Sequence, residues 1–182
     1  ATLGDATVVY SGSAVTFNDS GLLSGTQYYY EVLSYKGSGI RTNYLVAAPL
    51  TGSQFMEASA PTALQFSNFT ASSIDVSFTA SASATGYLVI SKSGSSPTGV
   101  PVDGTSYTVG ATLGDGQVVF FGTGTSFSDT GLSGGSNYFY DVYSYTGASA
   151  FNYMNSTPLE GNASTLSAIP GAQPTALVFS NP

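Results

Sequence analysis

Apolar and polar residues alternate along much of the chain, which is the pattern of β-strands with one buried face. In SIDVSFT (73–79) the apolar side chains share one face, while Asp75 and Ser77 share the other. The same alternation in ALQFSNF (63–69) predicts a strand that forms a hairpin with it. Since no segment has a convincing helical period, the sequence predicts an all-β fold.

One predicted strand, GYLVISK (86–92), is apolar on both faces. We therefore expect a second layer to cover the face that does not meet the main core. SYTVGA (106–111) and QVVFFG (117–122) are predicted to flank a tight turn, because the Asp-Gly pair within it favours a hairpin. Further strands are predicted at 125–132, 137–145 and 158–166, which gives about seven or eight per repeat.

The chain repeats itself. Residues 1–35 align without a gap on residues 111–145, with 18 of 35 positions identical. PTALQFSN (61–68) likewise returns as PTALVFSN (174–181). The period of about 110 residues is the size of an independent β-sandwich rather than of a solenoid unit.

This repeat predicts three domain segments. Residues 61–169 form a complete β-sandwich repeat, residues 1–58 form the C-terminal half of a preceding repeat, and residues 174–182 form the first strand of a further one. We expect 61–169 to fold alone and 1–58 to need completion by a segment outside this sequence or by a neighbouring copy.

Composition excludes most familiar chemistry. The chain has no His and no Cys, so it cannot build a Ser-His-Asp or Cys-His site, a zinc site with imidazole or thiolate ligands, or a disulfide. Its net charge of −7 disfavours nucleic acid and anionic lipid as partners. No apolar run approaches the roughly 20 residues of a membrane span, so no membrane insertion is predicted. No cofactor is expected.

The segment 132–145 contains Leu-x5-Tyr-x-Tyr-x-Val-x-Ser after a predicted turn. It resembles the corner between strands E and F of fibronectin type III domains, where a tyrosine hydroxyl bonds upstream backbone. The resemblance implies an all-β, Ig-like sandwich in tandem modules. The structural corner that it implies consists of Leu22, Tyr28, Leu132 and Tyr138, together with Phe78 where the family usually has a core Trp.

TSYTVGATLGDG (105–116) and TPLEG (157–161) add a narrower resemblance, to the fibronectin-like repeats of giant cell-surface proteins in the Bacteroidetes. Those proteins are extracellular, contain many repeats and are associated with adhesion, gliding or surface filaments. The resemblance implies a stalk or filament-shaft segment of an adhesin. The implied partners are neighbouring repeats of the same chain, further copies in a homo-oligomer or filament, or a surface glycan or protein.

An aromatic stripe is predicted on the outer face of the penultimate strand, if Tyr140 and Val142 face the core. Three explanations remain open: cover by Leu88, Ile90 or loop 93–104 of the same module, self-association, or glycan binding as the alternative function. Replacement of Tyr143 by Phe is expected to be nearly silent. The residues of the stripe are Tyr29, Tyr35, Phe139, Tyr143 and Tyr145.

Several acids also recur in both copies, as Asp5 with Asp115 and Asp19 with Asp129. Asp115 and Asp129 are weak calcium candidates, and turn formation explains them better because their spacing matches no calcium loop. A glycosidase would need two carboxylates about 5–10 Å apart in a cleft, and no spacing here selects such a pair. We therefore predict no metal site and no enzymatic activity.

Overall fold

The computed structural model describes residues 1–149 and 151–168. The chain divides into two compact units, one from Ala1 to Glu57 and one from Ala58 onward. The strand predicted at 174–182 lies outside the described residues, as does Ile169 at the end of the predicted complete repeat.

The first unit consists of three separate antiparallel pairs, β1 with β2, β3 with β6, and β4 with β5. A 3₁₀ turn, Gly39–Arg41, lies between β4 and β5. None of residues 1–57 is buried, so this unit has no core of its own. Its strands are β1 Thr2–Leu3, β2 Ala6–Thr7, β3 Gln27–Val32, β4 Tyr35–Lys36, β5 Asn43–Tyr44 and β6 Leu50–Phe55.

The described part of the second unit has seven strands of five or more residues and two strands of two residues. The strands are β7 Thr62–Ser67, β8 Ser73–Thr79, β9 Gly86–Ser93, β10 Thr112–Leu113, β11 Gly116–Gly122, β12 Ser126–Thr130, β13 Asn137–Thr146, β14 Asn152–Tyr153 and β15 Leu159–Ser164.

These strands form two antiparallel sheets. The smaller sheet has the order β12-β8-β7, and the larger has the order β10-β11-β9-β13-β14, with β15 also paired to β13. The predicted hairpin at the start of the repeat is confirmed as β7 and β8. The alternation therefore predicted the all-β class and the main strands correctly.

An inner core fills the space between the two sheets. The alternate apolar residues of β8 point into it, opposite side chains from β9 and β13. The period of two explains this arrangement, because every second residue of a strand shares a face. The buried members of the inner core are Ile74, Val76, Phe78, Tyr87, Val89, Tyr140 and Val142.

An outer core covers the opposite face of the larger sheet. This is the second layer that the doubly apolar strand β9 requires. Residues 94–111, which join β9 to β10 and are called the covering loop below, pack Tyr107 and Ala111 against it. Leu88, Ile90, Val118, Tyr143, Tyr145 and Tyr153 are its buried members.

The strand predicted at 106–111 is wrong. The extended segment is limited to Thr112–Leu113, because Gly110 adopts a left-handed φ of 91° that breaks the run. Tyr107 instead turns its ring toward Tyr153, with 5.8 Å between the ring centroids. Packing on the outer face therefore replaces pairing within the sheet.

Candidate functional site: a tyrosine corner and a covered aromatic face

Tyr138 is a partly buried residue near the start of β13, and it ties the preceding loop to the sandwich. Its hydroxyl accepts a hydrogen bond from the backbone N–H of Ser133, five residues upstream, at 2.8 Å. The neighbouring Leu132 packs against the inner core, and its N–H donates to the carbonyl of Ser72 at 3.0 Å. The turn before β13 is thus held to both sheets.

The first unit has the same local geometry. The hydroxyl of Tyr28 accepts a hydrogen bond from the N–H of Leu23 at 2.8 Å, and Leu22 beside it is half-buried. This bond also spans five residues. The corner therefore forms in this unit although the inner core is absent there.

Phe78 lies at the end of β8 and is buried in the inner core. Its ring meets the ring of Tyr87 edge to face, with centroids 4.8 Å apart. Edge-to-face contact places the positive edge of one ring against the negative face of the other. Phe78 acts here as a packing residue.

Asp129 is a buried carboxylate between the two sheets. The hydroxyl of Tyr140 donates to it at 3.0 Å and the hydroxyl of Ser91 at 3.4 Å. Burial raises the pKa of Asp129 above its ordinary value, while these hydrogen bonds oppose the rise. Asp129 thereby joins β12 of one sheet to β9 and β13 of the other.

Sequence reasoning missed this carboxylate–phenol pair, although a signal was present. The first unit repeats it, because the hydroxyl of Tyr30 donates to Asp19 at 3.0 Å. The Asp and the Tyr are 11 residues apart in both copies. Recurrence of both members at one spacing could have identified the pair.

Asp115 lies in the tight turn between β10 and β11 and forms an ion pair with Lys92 at 2.6 Å. It also accepts the backbone N–H of Thr98 in the covering loop at 2.7 Å. The hydrogen bond from Lys92, followed by the one from Thr98, lowers the pKa of Asp115 to about 2. The carboxylate fastens the covering loop to the larger sheet.

The calcium candidates do not come together. Asp115 is at the β10–β11 turn, whereas Asp129 is buried between the sheets with hydroxyl partners. Across residues 1–149 and 151–168, no three His, Cys, Asp or Glu side chains are grouped so that they could hold a metal ion.

Two positions of the predicted interaction stripe require a correction, because cover by the same module, the first of the three explanations left open, applies there. Tyr143 is 3% exposed and Tyr145 is 5% exposed, because both belong to the outer core. The hydroxyl of Tyr143 donates to the carbonyl of Gly99 in the covering loop at 3.0 Å, inside the protein. The ring of Tyr145 stacks on the ring of Phe121, with 5.1 Å between the ring centroids. These two tyrosines face away from the inner core, as predicted, but they are not available to a ligand.

The other three residues of the stripe differ from one another. Phe139 is half-buried and lies opposite Lys92 in the sheet register. In the first unit, Tyr29 on β3 is 81% exposed. Tyr35 on β4 is also exposed, and its ring lies against that of Tyr44, with 5.7 Å between the ring centroids. No single described strand presents a continuous exposed aromatic stripe.

Two further carboxylates, Asp141 and Glu160, lie directly opposite each other on β13 and β15. Burial, with Glu160 nearby, raises the pKa of Asp141 to about 6. Asp141 belongs to the outer face of β13, whereas Asp129 lies between the sheets. The larger sheet therefore separates Asp141 from Asp129.

The part of the chain that the structure describes contains no helix long and apolar enough to cross a membrane.

Comparisons with known proteins give matches only at the level of structure. No protein-family model matches the chain, and no curated protein matches it. A segment of two fibronectin type III domains from chicken tenascin is 24% identical, covering 80% of this chain and 68% of that one, with a TM-score of 0.49.

A single fibronectin type III domain of human collagen XX is 20% identical, covering 58% of this chain and 90% of that one, with a TM-score of 0.41. A computationally redesigned β-sandwich protein is 18% identical, covering 63% of this chain and 97% of that one, with a TM-score of 0.45. With its two antiparallel sheets, its inner core and its tyrosine corner, the second unit has a fibronectin type III-like β-sandwich fold.

Proposed function

We propose that this chain is a structural segment of an extracellular array of tandem β-sandwich modules, a stalk or filament shaft that contributes length and cohesion. One observation carries the proposal: the features found in both units are framework features. The tyrosine corner recurs in each unit with 2.8 Å between the backbone nitrogen and the tyrosine hydroxyl oxygen. The carboxylate–phenol pair recurs with 3.0 Å between the tyrosine hydroxyl oxygen and the carboxylate oxygen.

Basic residues do not recur where the two copies can be compared. The chain has three basic residues, and in the alignment Lys36 is opposite Thr146. A binding site that is operated by repeats should return with each repeat. The ion pair between Lys92 and Asp115 holds the module's own covering loop.

The covered aromatic face supports the same role. A glycan-binding module would stack sugar rings on exposed aromatic faces, but Tyr143 and Tyr145 are enclosed by residues of the same module. Their rings stabilise the fold through buried apolar area, at about 25 cal/mol per Å². The module uses its aromatic residues for internal packing.

Extracellular display at a cell surface belongs to this proposal, because β-sandwich modules of this architecture occur in many cell-surface proteins. The resemblance to repeats of giant bacterial surface proteins supports an adhesin stalk in particular. Neighbouring repeats are the proposed partners, with lateral assembly into a filament as a further proposed interaction. We propose no catalytic role.

Deletion of one period tests the spacer role. Removal of residues 61–173 joins Ala60 to Pro174, the residue that aligns with Pro61, and so restores the junction at which the period begins. We expect the protein to keep its surface display and its adhesive activity while its reach shortens by one module. Loss of adhesion at unchanged expression would contradict the spacer role, as would retention of a sugar by the intact chain on a glycan array.

A further inference from the structure

The first unit exposes apolar side chains whose counterparts in the second unit are buried. Val32 is 50% exposed, whereas the aligned Val142 is fully buried. Val8 is 40% exposed, whereas the aligned Val118 is fully buried. Since none of residues 1–57 is buried, the unit has strands and a corner but no interior.

The second unit identifies what covers these positions. Val142 is paired with Val89, and Val118 is paired with Ile90. Both partners are on β9, the strand that is apolar on both faces. Val118 and Val142, the counterparts of Val8 and Val32, are therefore covered by a strand that precedes Ala111 in the chain. Residues 1–57 contain no equivalent of that strand.

Backbone pairing leads to the same segment. In the second unit β9 lies between β11 and β13 and is hydrogen-bonded to both. In the first unit the aligned strands are β2, which pairs only with β1, and β3, which pairs only with β6. The edges that would hold a strand like β9 are open, and open edges are templates for strand addition.

We propose that residues 1–57 are an acceptor for a segment with the pattern of residues 61–110, supplied by another repeat of the same chain, which places a β9-like strand between β2 and β3 and creates the missing inner core. The inference rests on the repeat organisation in the proposed function, but not on the spacer role.

In the second unit, the segment before Ala111 packs against the segment after it. This arrangement favours a segment like 61–110 as the occupant, rather than a second copy of the first unit. Two acceptor faces could cover apolar area but could not supply a strand to both open edges. A donor must be apolar on both sides and must hydrogen-bond on both edges, as Gly86–Ser93 does in the second unit. A second copy of the whole chain could donate this strand only by opening its own sandwich.

A fusion tests the proposal. A copy of residues 61–110 is placed directly before Ala1 of the full chain, which restores the natural junction because Ala1 aligns with Ala111. We expect the cooperative unfolding amplitude in denaturant to rise about twofold over the unfused chain, since the unfolding signal scales with the structure that melts. Amide exchange of β3 is expected to slow at least tenfold.

Two variants of the fusion serve as a test and a control. Val32→Asp places a charge where the aligned Val142 is fully buried, and it is expected to abolish the added transition. Leu23→Ser introduces the residue that the second unit has at the aligned position, Ser133, and is expected to leave the transition unchanged.

Three outcomes would overturn the proposal. In the first, the fusion unfolds with no more amplitude than the parent chain. In the second, β3 is already protected in the unfused monomer. In the third, β3 becomes protected in the unfused chain as its concentration rises, which would make a second copy the occupant. Sugar binding by the intact chain would end the spacer role and leave this inference untouched, so the two failures are distinguishable.

Discussion

Replacement of Tyr143 by Phe removes a single oxygen from the outer core and leaves the ring in place. In the structure that hydroxyl donates to the carbonyl of Gly99 at 3.0 Å, away from solvent. The covering loop approaches the larger sheet closely here, because a Cβ added to Gly99 would collide with the backbone of Leu113. The carbonyl therefore has little freedom to find another donor.

The expected cost follows from that geometry. A buried acceptor that loses its donor costs about 1–3 kcal/mol, and no cavity opens because the ring remains. We expect the free energy of unfolding of the second unit to fall by about 1–2 kcal/mol, which lowers Tm by roughly 4–8 °C for a domain of this size. This replaces the sequence-based expectation of a nearly silent substitution.

Urea unfolding, followed by circular dichroism, measures the effect on the full chain. Val109→Ala is the matched control, because Val109 is an exposed residue of the same loop and should change stability by no more than about 0.5 kcal/mol. Tyr143→Ala should cost about 3–5 kcal/mol by emptying the outer core. If Tyr143→Phe behaves like the Val109 control, the hydroxyl is not buried against the loop and the covered face is wrong.

Three further changes have defined outcomes. Tyr138→Phe should destabilise the second unit by about 0.5–1 kcal/mol in urea unfolding, because the exposed N–H of Ser133 exchanges its protein acceptor for water; no measurable change would contradict a structural role for the corner. The raised pKa of Asp141, about 6, means that ionisation opposes folding, so stability should fall as pH rises from about 4 to about 6. Asp141→Asn should remove the part of that fall that Asp141 contributes, while Asp129, whose pKa burial also raises, keeps its own part. The substitution should add at most about 3 kcal/mol at pH 7, and an unchanged pH profile would contradict this prediction. EDTA should leave Tm unchanged, whereas a drop of several degrees would indicate a bound metal ion.

The strands could be predicted from the sequence because they depend on local alternation. Gly86–Ser93 is apolar on both faces, and that pattern alone called for two buried layers. The direction of Tyr143, away from the inner core, also followed from the period of two. These features need no knowledge of which segments meet in space.

What covers Tyr143 could not be derived in the same way. The strand pattern at 106–111 within the covering loop was misleading, and the position of the loop depends on contacts between distant residues, such as the ion pair of Lys92 with Asp115. The pair of Asp129 and Tyr140 joins strands of different sheets, so only the folded topology brings it together. Recurrence in the two copies was the signal for this pair that the sequence did contain.

The central claim is that the aromatic face of the second unit is part of its interior and not a binding surface. Hydroxyl-radical footprinting with mass spectrometry measures this directly, since modification follows side-chain exposure. We expect Tyr143 and Tyr145 to be modified at least tenfold more slowly in the native chain than in the urea-unfolded chain, while Tyr29 is modified at similar rates in both. Modification of native Tyr143 as fast as that of Tyr29 would contradict the account.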